Sequence, residues 1–128
     1  MSRRRVLLVD DDVAVLQMLS LALTKAGYDV LQAQDALQGV TRAIRDSPDI
    51  VLLDLIMPGG GGFIVLERIK RSSKTRLIPI IIISGSVDPD VETRAQQLGV
   101  RDFFHKPYDL LELLARISSL LGNATREG

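Results

Sequence analysis

The stretch 6–12, VLLVDDD, joins four apolar residues to three consecutive aspartates with no basic residue among them. A short apolar run of this kind predicts a buried strand, which we place at about 5–10. Adjacent carboxylates repel one another and raise one another's proton affinity, so the cluster is costly unless something positive binds there. The stretch therefore predicts a buried strand that leads directly into a cation site.

Apolar runs and helical patterns alternate along all 128 residues. Further strands are predicted at 28–33, 49–54, 77–84 and 100–105, and helices at 13–26, 36–46, 62–72, 88–98 and 109–121. Regular alternation of this kind is typical of a parallel sheet with right-handed crossovers. We therefore predict one doubly wound α/β domain over 1–122, followed by a flexible tail or the start of a linker at 123–128.

The composition excludes several classes of protein. Lysine and arginine (16) balance aspartate and glutamate (16), so the net charge points neither to nucleic acid nor to a cationic partner. The chain has no cysteine, which excludes a disulfide or a zinc–thiolate site, and its one histidine, His105, excludes a multi-histidine metal centre. No apolar run approaches the roughly 20 residues that cross a bilayer. We expect a cytoplasmic protein that binds neither membrane nor nucleic acid directly.

Polar side chains follow the predicted strands at their carboxyl ends, where ligands of open parallel sheets bind. Strand one ends in Asp10 and Asp11, strand three in Asp54, strand four in Ser84 and strand five in Lys106. If strands one and three are neighbours, the carboxylates converge on one small volume. A hydroxyl and an ammonium group would then flank them.

Each polar residue also has a simpler interpretation. Asp12 is explained as the cap of the first helix, Asp54 and Ser84 could be turn residues, and Lys106 could be a solvated surface residue. Their coincidence on one rim of the sheet favours a shared functional site instead.

The chemistry that fits this rim is magnesium-dependent phosphoryl transfer. Asp10 and Asp11 offer the oxygen ligands that Mg²⁺ takes, and Asp54 would be a third. Asp54 is also placed to act as a nucleophile that forms an acyl phosphate. Lys106 would add a second positive charge, and Ser84 could donate a hydrogen bond to the attached phosphoryl group.

Four motifs resemble those of the response-regulator receiver domain, the phosphoacceptor of bacterial two-component signalling. They are VDDD at 9–12, DLIMPGGGGF at 54–63, ISG at 83–85 and FFHKPY at 103–108. The resemblance runs from about 6 to 121. It implies a flavodoxin-like fold with strand order 2-1-3-4-5, and a phosphoacceptor regulator that takes part only in its own phosphorylation and dephosphorylation.

Motif positions assign a role to each residue of the site. Asp54 resembles the phosphorylated aspartate, and Asp10 and Asp11 resemble the acidic pair that binds Mg²⁺. The resemblance also implies that the Ile56 backbone carbonyl is a metal ligand and that Lys106 is the lysine of the family's active site.

The resemblance further implies a switch. Ser84 corresponds to the switch hydroxyl, Phe103 to the switch aromatic residue and Pro107 to a cis-proline. A partner sensor histidine kinase, a phosphotransfer protein or a small acyl phosphate would supply the phosphoryl group. Ser84 would then move inward, Phe103 would follow, and the face formed by helix four, strand five and helix five would be remodelled. A phosphorylation-dependent homodimer, a separate protein target and a fused output domain are all left open.

Three positions depart from the commonest family pattern. Phe103 replaces a more usual tyrosine, so the switch ring has no hydroxyl. Ile56 cannot orient an attacking water, which predicts slow self-dephosphorylation. The glycines at 59–62 lack the G-K-[ST] ending of a nucleotide-phosphate loop, so we interpret them as a flexible turn. Helix four has few apolar residues, which is typical of a helix that can move.

Three other functions fit parts of the sequence. A haloacid-dehalogenase-like Mg²⁺ phosphatase would use the D-x-D pattern of Asp10 and Asp12, but Ala14 does not match its motif. A flavodoxin-like cofactor binder is disfavoured because three carboxylates would repel a cofactor phosphate. A degenerate receiver that acts only as a docking module is disfavoured by the complete acidic set.

Overall fold

A computed structural model describes residues 3–122, so the predicted tail at 123–128 lies outside the described residues. Five parallel strands form one sheet in the order β2-β1-β3-β4-β5, which confirms the order implied by the resemblance. The elements are β1 Arg5–Val9, α1 Val13–Lys25, β2 Asp29–Ala33, α2 Ala36–Asp46, β3 Ile50–Leu53, a short 3₁₀ helix Pro58–Gly60, α3 Gly61–Arg71, β4 Ile80–Ser84, α4 Pro89–Gln97, β5 Asp102–His105 and α5 Leu110–Leu121.

Helices cover both faces of the sheet, which explains why the central strands are apolar throughout. On one face, α2, α3 and α4 pack over side chains that include Leu7, Val51 and Ile82. On the other face, α1 and α5 pack over Leu8 and Ile81. Every residue of β3 and β4 is buried, as expected for strands covered on both sides.

The helix ends follow from local side-chain chemistry. The carboxylates of four aspartates accept backbone N–H bonds at the first turns of α1, α2, α4 and α5, namely Asp12, Asp35, Asp88 and Asp109. Gly27 and Gly99 follow α1 and α4 with positive φ angles of 99° and 87°, which favour glycine. These caps confirm the predicted helix boundaries to within one or two residues.

The fourth strand begins later than predicted. The apolar pattern placed its start at 77, but the side chain of Leu77 is 85% exposed and β4 begins at Ile80. Pro79 has no N–H to donate to a strand ladder, although its carbonyl accepts the N–H of Val51 at 3.0 Å. The prediction was therefore wrong for residues 77–79.

The strand register brings the carboxyl ends of β1, β3, β4 and β5 to one edge of the sheet. Val9 pairs with Leu53, and the N–H of Asp54 continues that ladder to the Val9 carbonyl at 2.9 Å. The N–H of Lys106 donates to the Ser84 carbonyl at 2.8 Å. In the described part of the chain, no helix is long and apolar enough to span a membrane.

Candidate functional site

Three carboxylates converge beyond the ends of β1 and β3. Asp10 and Asp54 are buried, with 5% and 6% of their surface exposed, and Asp11 is exposed. One oxygen from each of the three lies within 4.8 Å of the others. This confirms the convergence predicted from the sequence.

Backbone hydrogen bonds orient the two buried carboxylates. Asp10 Oδ1 accepts the N–H of Asp12 at 2.9 Å, and Asp54 Oδ1 accepts the N–H of Ile56 at 2.9 Å. The second oxygen of each lies 3.5 Å from the Lys106 Nζ atom. Lys106 therefore faces both carboxylates at once, so one ammonium group offsets part of the charge of two acids.

Burial and charge shift the ionisation of two groups here. Burial raises the pKa of Asp54, and the nearby Asp10 carboxylate raises it further, against the opposing effects of the Ile56 N–H and the Lys106 ammonium. Burial lowers the pKa of Lys106, but the Asp54 and Asp10 carboxylates outweigh it and the net pKa is raised. Lys106 is thus held in its charged form, while Asp54 is poorly stabilised as an anion.

The donor atoms of the cluster suit a small divalent cation. Carboxylate oxygens are hard ligands, and Mg²⁺ in proteins is held by one or two of them while it keeps several waters. Two buried carboxylates that share a single lysine retain an excess of negative charge. The residues present therefore fit a bound divalent ion.

Asp12 does not join the cluster. Its Oδ1 accepts the N–H of Ala14 at 2.9 Å and the N–H of Val15 at 3.4 Å at the start of α1. This confirms that the third aspartate of VLLVDDD is a helix cap. The three aspartates of this stretch therefore have two roles: Asp10 and Asp11 belong to the carboxylate cluster, and Asp12 caps α1.

The other predicted residues lie on β4 and β5. Ser84 is fully buried at the end of β4, and its Oγ accepts the N–H of Ser86 at 3.1 Å. Phe103 is half-buried against the core on the α2–α3–α4 side. Its ring centroid lies 4.8 Å from that of His105, whose Nε2 lies 3.2 Å from Glu92 Oε2 on α4. The Lys106–Pro107 peptide bond is cis, as the resemblance implied.

The role of Gly62 was missed at the level of sequence. Instead of extending a flexible turn, it lies in the first turn of α3. A Cβ atom there would lie 2.3 Å from the Leu55 Cα and 2.5 Å from the Asp54 carbonyl oxygen. Only glycine lets α3 pack this closely on the backbone that carries Asp54. Gly59 and Gly60, with φ angles of 70° and 72°, form the tight turn before it.

Tyr108 also escaped the sequence interpretation. Its ring packs edge-to-face on Phe104, with ring centroids 6.4 Å apart. Its hydroxyl oxygen is buried and has no hydrogen-bond partner within residues 3–122, and burial raises the pKa of the phenol. No pattern in the sequence distinguishes such a tyrosine from an ordinary core aromatic residue.

Comparison with known proteins agrees with this site. Residues 6–118 match the family model of the response regulator receiver domain. The chain is 36% identical over 122 residues to the DNA-binding dual master transcriptional regulator RpaA of Synechocystis sp. PCC 6803, covering 95% of this chain and 51% of RpaA. It therefore spans about half the length of that relative.

Solved structures give the same result. The chemotaxis protein CheY4 of Vibrio cholerae superposes with a TM-score of 0.86 at 27% identity, covering 94% of this chain and 100% of that one. The receiver domain of the sensor histidine kinase PA1611 from Pseudomonas aeruginosa PAO1, solved with magnesium in its active-site cleft, has a TM-score of 0.85 at 25% identity, with coverages of 95% and 100%. The chain belongs to the response regulator receiver domain family of two-component signalling.

Proposed function

We propose that this receiver domain is a switch controlled by phosphorylation of Asp54. The phosphoryl group would come from a partner histidine kinase or a small acyl phosphate. The observation that carries the proposal is the environment of the Asp54 carboxylate. One oxygen is fixed by the Ile56 N–H, and the other faces Lys106 beside two further acids. A cation site is thereby built around a carboxylate that can act as a nucleophile.

In the proposed reaction, an Asp54 carboxylate oxygen attacks the phosphorus atom of the donor. The bond from phosphorus to the donor nitrogen or oxygen breaks, and its electron pair leaves with the donor. Lys106, 3.5 Å from Asp54 Oδ2, is close enough to pair with a phosphoryl oxygen. The product is a mixed anhydride on Asp54.

Asp10, Asp11 and Asp54, with the Ile56 backbone carbonyl, would hold a Mg²⁺ ion. When bound, the ion offsets the repulsion between the carboxylates and the incoming phosphoryl oxygens. Support comes from the carboxylate cluster and from the magnesium in the PA1611 receiver domain. The chain's own part is to hold two acids 3.5 Å from one lysine, which leaves negative charge for the ion to neutralise.

The proposed output is a change of the face formed by α4, β5 and α5. Ser84 ends the strand between those that carry Asp54 and Lys106, so its hydroxyl can follow an attached phosphoryl group. Phe103 lies on β5 next to that strand, and its ring contacts that of His105 with an interplanar angle of 46°. His105 in turn contacts Glu92 of α4. A movement of Phe103 would therefore disturb the contact that ties β5 to α4.

The position of Asp12 argues against the haloacid-dehalogenase-like phosphatase. A D-x-D nucleophile pair would need the Asp12 carboxylate in the site, whereas Asp12 accepts two backbone N–H bonds at the start of α1. Asp54, the buried acid opposite Lys106, has no part in that scheme.

The test is phosphorylation by acetyl phosphate with Mg²⁺, followed by intact-protein mass spectrometry. Wild-type protein is expected to gain one phosphoryl group that hydroxylamine removes, and chelation of the metal should stop the gain. Asp54→Asn should gain none. Asp29→Asn, an exposed aspartate of β2, is the matched control and should behave as wild type.

Labelling of Asp54→Asn at the wild-type rate would refute the assignment of the phosphoacceptor. Metal-independent labelling of Asp54 would refute only the role of the acidic cluster, so the two parts of the proposal can fail separately.

A further inference from the structure

A groove lies between α2 and α3, and none of the phosphoacceptor-site residues lines it. It encloses about 210 Å³ and is lined by Ala36, Leu37, Val40, Ile64 and Arg68. Its lining is apolar at the first turns of the two helices, which lie in van der Waals reach of each other. A Cβ atom on Gly61 would lie 3.5 Å from the Ala36 Cβ.

The apolar side chains of this groove are unusually accessible. Leu37 is 77% exposed and Ile64 is 44% exposed. Ile44, 39% exposed, lies two turns after Leu37 on the same side of α2. Single exposed apolar residues need no explanation, but Leu37 and Ile64 line the same groove from two helices, with Ile44 outside its lining, and exposed apolar surface gathered in a groove is of the kind that binds partners.

The other end of the groove is basic. Arg68 and Arg71 follow Ile64 by four and seven residues, so the three share one side of α3. Both arginines are exposed, and neither side chain forms an ion pair with any residue from 3 to 122. By contrast, Arg94 of α4 is paired with Glu67 at 2.6 Å. The apolar groove thus has one cation in its lining, Arg68, and a second, Arg71, on the same side of α3 beyond it, and neither has an anionic partner in the described chain.

We propose that this groove binds an acidic amphipathic helix of a partner protein. Two or three apolar side chains of that helix would cover Leu37, Val40 and Ile64, and carboxylates one or two turns further along would pair with Arg68 and Arg71. Acidic character is required because two unpaired arginines would repel a basic helix. The α2–α3 surface is separate from the α4–β5–α5 face, so the two could be occupied together.

The probe is a synthetic helical peptide with leucines at every third and fourth position and glutamates elsewhere. It is titrated into the ¹⁵N-labelled full chain, and amide chemical shifts are recorded. We expect shift changes confined to the outer sides of α2 and α3. A peptide with the same leucines but lysine in place of glutamate should bind at least about tenfold more weakly.

Variants separate the two ends of the groove. Leu37→Ser and Arg68→Glu should each weaken binding about tenfold or more while the chain stays folded, since both residues are exposed. Leu77→Ser, which removes an apolar side chain that is 85% exposed outside the groove, is the matched control and should bind like wild type.

The proposal is overturned if the acidic and basic peptides bind equally, if the shifts map to α1 or to the α4–β5–α5 face, or if no shift occurs at millimolar peptide. Reversal of affinity by Arg68→Glu, with the lysine peptide now preferred, would be the strongest support. None of these outcomes depends on phosphorylation of Asp54.

Discussion

Helices α3 and α4 cover the same face of the sheet but are held to it in different ways. Five residues of α3 are buried, and one of them, Gly62, packs directly on the backbone of Asp54. In α4 only Ala95 is buried. Val91 is only half-buried against the core. The other contacts of α4 lie at the surface: Arg94 pairs with Glu67 and lies 4.0 Å over the Phe63 ring, and Glu92 contacts His105.

The difference indicates which helix is fixed and which can move. The α3 contacts are apolar and close-packed, so shifting this helix would expose core surface and displace the Asp54 backbone. The apolar contacts of α4 are fewer, limited to Ala95 and the half-buried Val91, and its polar contacts are partly exposed ones that contribute little to stability. Under the proposed function, a phosphoryl group on Asp54 would be held by the firmly packed α3 side of the site, and α4 would be the helix that moves.

The largest expected effect comes from Gly62→Ala. The new Cβ atom would overlap the backbone at Leu55 and Asp54. The overlap is costly because that backbone cannot move aside without displacing the site. We expect a loss of about 3 kcal/mol or more in the free energy of unfolding, measured by urea denaturation, and slower labelling by acetyl phosphate. Gly85→Ala is the matched control, since nothing lies within 4 Å of its Cβ position. If Gly62→Ala were as stable as wild type, α3 would not be packed as closely on the Asp54 backbone as we describe.

A second pair of variants compares the two helices through their apolar contacts. Leu66→Ala removes a fully buried side chain of α3 and should cost about 2–5 kcal/mol. Val91→Ala removes a half-buried side chain of α4 and should cost about 1 kcal/mol or less. Denaturation curves of both variants measure the two values, and equal losses would contradict the difference in anchoring.

The buried carboxylate on the rigid side should show a pH-dependent cost. The raised pKa of Asp54 means that the folded chain binds this proton more tightly than the unfolded chain does. Its charged form therefore lowers stability above the folded pKa, and the penalty fades as the pH falls below it. Asp54→Asn should stabilise the metal-free protein by about 1 kcal/mol near neutral pH and lose that advantage in acid.

Urea denaturation across a pH series measures this effect. Asp29→Asn, at an exposed position, is the control and should show no gain in stability that disappears in acid. A gain from Asp54→Asn that persisted unchanged into acid would mean that charge burial is not its cause.

The smallest expected effect is that of Arg94→Ala. This change removes the pair with Glu67 and the contact with the Phe63 ring, both near the surface. We expect a loss of about 0.5–1 kcal/mol in the free energy of unfolding. Amide hydrogen exchange should become faster in α4 and stay unchanged in α3. Arg76→Ala, an exposed arginine after α3, is the control. Faster exchange in both helices would show that Arg94 supports the whole face instead.

The sequence predicted the fold well where the signal is local. Buried strands covered on both faces carry continuous apolar runs, and aspartate caps mark helix starts, so these elements were found within a few residues. The end of VLLV fixed the position of Asp10, and strand adjacency then placed Asp54 beside it.

Features that depend on distant contacts were not predictable in this way. Whether an apolar residue such as Leu77 pairs in a strand depends on Pro79 and on the neighbouring strand. The need for glycine at 62 arises from the approach of another segment of backbone. The burial of the Tyr108 hydroxyl, which has no hydrogen-bond partner among residues 3–122, depends on packing by β5 and the loop after it, and no periodic pattern in the sequence records that packing.

The tilted ring contact between His105 and Phe103 has a practical consequence. The chain contains one histidine, so its imidazole gives a single, unambiguous set of carbon-bound proton resonances. A neighbouring aromatic ring shifts those resonances through its ring current, and the centroids here are 4.8 Å apart. Rotation of Phe103 would change that shift, so proton spectra of the unlabelled protein would report the ring movement that the proposed switch requires.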